Sequence, residues 1–258
     1  MIKKTILLTG MLFVLLSCSS DNVEKKAAAV NKLDELSMRV LEELFMDDLK
    51  GALRGIKSAV SKESAQKIFA ILGNIPSRQL AKEYDANEVA ADELYKNKTF
   101  IIDGKIQSIE KDFTGTPVIR LNGSNMFQYV HAHFGKESIG ELSKFKKGQN
   151  CHFICDVRSY IMGNVTLDNC KSIDSYVNDK KGYIKSAIVS ILRGGKSADE
   201  NFDMAVRVFY RITKHIPENS SCKTQLSLSD CEDELDKLPK DMIAKIVADE
   251  KAAFGINE

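Results

Sequence analysis

The chain has no tryptophan, only four prolines in 258 residues, and almost no charge imbalance: 37 Lys and Arg stand against 36 Asp and Glu, a formal charge of +1. Without a basic excess the chain as a whole lacks the footprint of a polyanion binder, and 43% hydrophobic with 28% charged residues excludes disordered and fibrous classes. One run is long and apolar, Ile6 to Leu16, and it falls short of the ~20 residues that a helix needs to cross a bilayer. Catalytic signatures are missing as well. There is no Gly-rich phosphate loop, nucleophile elbow or zinc-protease helix motif, and acidic pairs such as Glu42-Glu43 and Asp47-Asp48 read as solvated helix charges. The class that remains is a non-enzymatic binding or accessory module, with no cofactor and no metal implied.

What the N-terminus does hold is an address. Lys3 and Lys4 precede the apolar run, so residues 1–17 read as a secretory signal peptide. The run ends in Leu15-Leu16-Ser17-Cys18, which resembles the lipobox of bacterial lipoproteins, where a small residue precedes a cysteine that is acylated and becomes the new N-terminus. Cys18 is therefore the expected lipidation site and the membrane the expected partner, through acyl chains rather than a spanning helix. Removing residues 1–17 leaves a charge of −1, so attraction to anionic lipid contributes little. Ser19 in place of Asp resembles the sorting signal of some Gram-negative bacteria for the outer membrane, facing the periplasm.

Downstream, apolar residues recur at helical spacing from 24 to 60 (Val30, Leu33, Leu36, Val40, Leu44, Leu49, Leu53, Ile56, Val60), and a second helical piece, Lys62 to Leu72, is closed by Gly73-Asn74-Ile75-Pro76. From Lys98 to Ile173 the pattern changes to strands: Thr99–Glu110, Thr116–Leu121, Met126–Phe134, Gln149–Ile161 and Val165–Ile173, with a helix over Glu137–Phe145. Five strands with a helix after the third is the order of the OB-fold barrel, and Gly104 suits the bend its first strand needs. Helical spacing returns over 174–258. The expected class is α+β: a five-stranded OB-fold β-barrel with N- and C-terminal α-helical extensions. The regions are 1–17 signal peptide, 18–83 tether and N-terminal helices, 84–173 barrel and 174–258 C-terminal helices.

Asn87-Glu88-Val89-Ala90-Ala91-Asp92-Glu93-Leu94-Tyr95-Lys96-Asn97-Lys98, running into Ile102-Asp103-Gly104-Lys105-Ile106, resembles the opening of the tRNA_anti-like family of OB-fold lipoproteins. Phe145-Lys146-Lys147-Gly148-Gln149 is similar to that family's turn before the fourth strand, and Leu167-Asp168-Asn169-Cys170 to its closing strand. The resemblance covers about residues 84–173. It implies the fold and brings no catalytic residues with it.

OB-folds bind oligonucleotides and oligosaccharides on the face of strands two and three. Alternation along the third strand puts Phe127, Tyr129, His131 and His133 on one side, where flat rings could stack on bases or sugars. Between 98 and 173 ten Lys or Arg meet seven Asp or Glu, a weak surplus for phosphate. We expect the added helices to cover this face, leaving an unknown protein as partner; the competing reading is that nucleic acid or oligosaccharide binds there. His131 and His133 could also open a metal site with His152 or Cys151, but no Cys-x-x-Cys spacing supports it.

Beyond Cys18 five cysteines remain, an odd number that leaves at least one unpaired within the chain. Cys222 and Cys231 flank a short polar segment and are easily bridged. For Cys155 and Cys170 two arguments disagree. A two-residue turn at Met162-Gly163 sets Cys155 opposite Cys170, yet the apolar alternation Cys151, Phe153, Cys155, Val157 against Val165, Leu167, Ile173 puts Cys170 on the other face. A bulge between Arg158 and Leu167 reconciles them, and we favour the bridge because the resembling family carries a cysteine in the same closing strand.

Overall fold

The computed structural model describes residues 33–56 and 58–255. The expected signal peptide, the expected lipidation site Cys18 and the expected tether lie outside the described residues, as does the expected start of the first helix. From Asp34 onward the chain forms one compact unit.

That unit opens with α1 (Glu35–Arg54), capped by the Asp34 carboxylate accepting from Ser37 N, and ended by Gly55 in the left-handed region, φ 74°. The helical spacing that continues to Val60 therefore belongs to a loop, not to the helix. Asp48, expected as a solvated charge, holds that loop: its carboxylate accepts from Ala59 N and Val60 N at 2.7 and 2.8 Å. Helix α2 (Lys62–Phe69) follows, closed by Ala70 in the left-handed region. The segment expected to act as a helix breaker is instead a strand, β1 (Ile71–Pro76), parallel to the start of β2 (Thr99–Lys111). Gly73, Asn74 and Pro76 are poor strand formers. They pair because Asn74 Nδ2 reaches the Asp103 carboxylate on β2 at 2.9 Å, and because Pro76, last in the strand, need donate nothing.

Two helices, α3 (Ser77–Ala86) and α4 (Glu88–Tyr95), precede β2. The remaining strands are β3 (Pro117–Asn122), β4 (Tyr129–Phe134), β5 (Asn150–Ile161) and β6 (Asn164–Ser172), with a 3-10 turn at Lys136–Ser138 and the one-turn α5 (Ile139–Leu142) between β4 and β5. They run in the order β2-β3-β4-β6-β5, and β5 pairs back onto β2 from Asn150 opposite Lys105 to Asp156 opposite Thr99. This is a closed five-stranded mixed barrel with β4 and β6 parallel, the OB-fold topology. Strand β2 serves both sides by exchanging partners: it leaves β5 after Lys105 and takes β3 from Ile106. Gly104 sits at that exchange, where a Cβ would lie 2.8 Å from Ser77 Oγ and 3.1 Å from the Leu121 side chain.

Inward residues of all five strands fill the barrel, among them Phe100, Ile106, Leu121, Val130, Phe153 and Leu167, while Leu80, Ala81 and Tyr84 of α3 join the same cluster. Phe134 meets Phe153 edge to face at 4.8 Å. Each such side chain contributes about 1.5–3 kcal/mol by leaving water.

Strand β6 runs directly into α6 (Ile173–Asp179) through Ser172, whose hydroxyl caps the helix. Helices α7 (Lys181–Leu192) and α8 (Glu200–Thr213) follow, then α9 (Ser221–Gln225), α10 (Leu228–Asp236) and α11 (Lys240–Ala253). This layer is centred on α1. Phe45 meets Phe202 and Phe209 of α8, each at 5.5 Å, and Arg54 pairs with Asp174 of α6. The N- and C-terminal helices thus form one body against the barrel, built on the side where β6 ends. No helix among the described residues is long and apolar enough to cross a membrane.

The cysteines resolve the register conflict. Cys155 is bonded to Cys170, Cys222 to Cys231, and Cys151 is a buried free thiol. Pairing across Met162-Gly163 starts at Ile161 opposite Asn164, shifts by one residue between Val157 and Ser159, and shifts again between Ile154 and Asp156. The first bulge lets Val157 and Leu167 face the core together. The second, with Asn169 at φ 53°, turns Cys170 inward beside Cys155.

Candidate ligand-binding face

The outward face of β3 and β4 is built by register. Arg120 lies opposite Ser108 on one side and His131 on the other, and His131 lies opposite Thr166 of β6, so four polar side chains form one row across four strands. Tyr129 and His133 flank His131 on the same face, opposite Asn122 and Val118. Alternation explains the placement: Val130, Ala132 and Phe134 are fully buried, and Tyr129, His131 and His133 are half-buried on the other side. Phe127 departs from the expected set. The strand begins at Tyr129, so Phe127 belongs to the preceding loop and is 81% exposed.

The helical layer does not cross this face. It meets the barrel at β5 and β6 through α6, whereas α3 packs at the barrel end below β3 and β4. The expectation of a covered face is corrected on this point: the Arg120 and Glu110 side chains, paired at 3.0 Å, are each 42% exposed.

Beneath that pair the polar groups are not all satisfied. His131 Nε2 and Ser108 Oγ are buried without a hydrogen-bond partner. Burial, followed by the charges of Arg120 and His133, holds the His131 pKa below its ordinary value, against the pull of Glu110. The imidazole is therefore neutral at pH 7, with one ring nitrogen free to donate or accept. Beside the row lies a recess of about 380 Å³ lined by Arg78, Gln107, Asn122, Ser124, Asn125, Met126 and Tyr129. Its wall is the β3–β4 loop, closed by Gly123 N donating to Gln128 O at 3.0 Å. Only glycine fits at position 123, because a Cβ would stand 2.1 Å from Gln128 O.

The structure brings Tyr129, His131 and His133 together and adds Arg120, Ser108 and the recess, which the sequence reading missed. Arg120 could have been found from the alternation of Val118, Arg120 and Asn122. His152 is elsewhere: it faces Asp103 across β2 and β5, with Nδ1 to Oδ1 at 2.5 Å, and Cys151 points into the core. Among the described residues no three His, Cys, Asp or Glu side chains converge on a metal position.

The two histidines titrate in opposite directions. The hydrogen bond that the His152 ring donates to the Asp103 carboxylate raises the His152 pKa, against partial burial, and burial lowers that of His131. The His152 pairing thus stabilises the fold below the ordinary imidazole pKa and is lost as pH rises through its folded value. The neutral His131 favours the fold above the ordinary pKa, a contribution lost as pH falls through its own depressed value. In an NMR titration His152 is expected to show the higher midpoint and His131 the lower; the reverse order would disprove both placements.

A closed five-stranded barrel with an open, partly unsatisfied β3–β4 face defines an OB-fold binding module. The chain matches the tRNA_anti-like family over residues 2–171 and belongs to it. The match begins far upstream of the barrel and stops within β6, so the helices from α6 onward lie outside it. Among solved structures, a Klebsiella pneumoniae protein described as a "putative nucleic acid-binding lipoprotein" is similar at 16% identity, with a TM-score of 0.33, over 40% of this chain and 92% of that one. No curated protein matches the chain.

Proposed function

We propose that the chain is a lipid-anchored, non-enzymatic binding module of a bacterial envelope, held by acylated Cys18 in the outer membrane facing the periplasm, with the β3–β4 face turned to its partner. The observation that carries the binding role is the open polar row on this face: Arg120 and Glu110 are each 42% exposed, beside the half-buried rings of Tyr129, His131 and His133. The address rests on the lipobox at Leu15-Leu16-Ser17-Cys18. Two disulfides suit an exported chain.

The composition of the recess favours a second, finer reading, in which the ligand is an oligosaccharide rather than a nucleic acid. Neutral amides and hydroxyls outnumber its one cation, Arg78, whereas a strand of phosphates calls for several. Binding is tested on the mature lipidated protein against a panel of glycans and single-stranded oligonucleotides. Arg120→Ala and Tyr129→Ala are expected to weaken any binding about tenfold or more, the loss of a charge-assisted hydrogen bond or a stacked ring. Glycan binding that survives both changes would move the site off this face, and oligonucleotide binding with a steep salt dependence would overturn the oligosaccharide reading.

A further inference from the structure

We propose that the barrel end formed by the β3–β4 loop and the β5–β6 turn is a membrane-contact crown, in which Met126, Phe127, Ile161 and Met162 enter the lipid interface. The proposal rests on the lipid-anchor reading above. These four side chains are 76%, 81%, 59% and 95% exposed. Elsewhere among the described residues exposed large apolar side chains occur on helices, on loops and, at Leu72, on strand β1, whereas here two connections place four together at one end.

The two connections form one ridge. Tyr129 N donates to Asn164 Oδ1 at 2.8 Å, which ties the end of the loop to the end of the turn. Asp85 of α3 accepts from Gln128 Nε2 at 2.9 Å and from Tyr160 OH at 3.3 Å, fastening loop and strand to the same helix end. The polar groups of the ridge are thus used internally, and its apolar ones are left facing out. Folding does not explain those residues. Both residues of the turn have positive φ, 51° at Met162 and 77° at Gly163, a geometry that favours Asn or Asp at the first position and leaves the methionine no core to enter.

The shape and the tether select lipid as the occupant. Phe127 and Met162 stand out at the tips of their connections, so they suit insertion rather than the reception of a side chain, while Met126 stands at the rim of the recess. The chain outside the described residues leads back from Asp34 to Cys18, sixteen steps that span at most about 55 Å. The tether enters at Asp34, at the far end of α1 from Arg54, which pairs beside the end of β6; a folded unit of this size is about 45 Å across, so even from its far side the tether can reach a bilayer in contact with the crown. Asp85 and Glu88 lie at the same end, and the mature chain carries −1, so insertion depends on apolar contact and not on anionic lipid.

The lack of tryptophan permits a direct test. Phe127→Trp and Met162→Trp give two crown reporters, and Phe113→Trp, at the fully exposed β2–β3 turn on the opposite end of β3, gives the control. Each full-length lipidated protein is reconstituted into phosphatidylcholine vesicles with brominated acyl chains. An apolar face lies about 5–10 Å into the interface, so both crown reporters are expected to shift to the blue and lose roughly half their emission, unaffected by salt, while the control stays bright. Protein that floats with the vesicles but has unquenched crown reporters overturns the crown and leaves the anchor standing. Protein that does not float overturns the anchor and the crown with it. Equal quenching of the control, or a blue shift before vesicles are added, overturns the crown in favour of non-specific collapse or of contact with a second protein.

Discussion

Cys18→Ser is expected to move the protein out of the membrane fraction or to stall it as an unprocessed precursor. Each buried methylene of an acyl chain contributes about 0.8 kcal/mol, so one chain gives only marginal attachment and several on one cysteine give a durable one. Nothing else described in the molecule matches that. No described helix is long and apolar enough to span a bilayer, and the charge of −1 expected after removal of residues 1–17 supplies no electrostatic attraction. The crown is weaker by its nature: even if each tip recovered most of the 1.5–3 kcal/mol of a buried side chain, an untethered protein would lose much of that to immobilisation at the surface. Carbonate-washed membranes, probed for the wild type and for Cys18→Ser, separate the cases. A variant that is processed normally and stays with the washed membrane would show that Cys18 is not the anchor.

The barrel was legible because its strands alternate, and the alternation was specific enough to place Tyr129, His131 and His133 on one outward face. Strand β1 was not, since Gly73, Asn74 and Pro76 carry no strand pattern and are held by one neighbour, β2, and one side-chain bridge, Asn74 to Asp103. The end of α1 was misplaced for a related reason: Ile56 and Val60 continue the apolar spacing past Gly55, whose left-handed backbone ends the helix regardless. At the candidate site, the sequence supplied the rings but not the row. Ser108 joins Arg120 only because a bulge between Ile106 and Ser108 shifts the register of β2 against β3. Phe127 was assigned to the face because alternation has no means of saying where a strand begins. Whether the helical layer lay across the face was equally unreadable, since it depends on β6 running straight into α6 at Ser172.

Removing the barrel disulfide is expected to be among the most destabilising changes short of breaking the core itself. Cys155 and Cys170 are 15 residues apart in sequence, and closing a loop of that length in the unfolded chain stabilises the native state by about 3 kcal/mol in the chain-entropy description. Both sulfurs are also buried in the barrel core, each residue about 1% exposed, so the double change Cys155→Ala with Cys170→Ala leaves apolar space as well. The total is expected near 3–5 kcal/mol, a large share of the 5–15 kcal/mol that typically holds a domain. Cys222→Ala with Cys231→Ala opens a shorter loop, nine residues, at the joint of α9 and α10, and its cost is expected to be smaller and local. The barrel bridge does more than cross-link: it fixes the second of two opposed bulges, so its loss frees β6 to slip by one residue and turn Leu167 and Val165 outward. Urea unfolding of both double variants, beside peptide mapping of the unreduced wild type, checks each step. The barrel variant should show the lower midpoint and a larger m-value, because its unfolded chain is no longer closed into a loop. Free thiols at 155 and 170 in the wild type, or equal midpoints for the barrel variant and the wild type, would show that the bulges alone set the register and that the sulfurs meet without holding it.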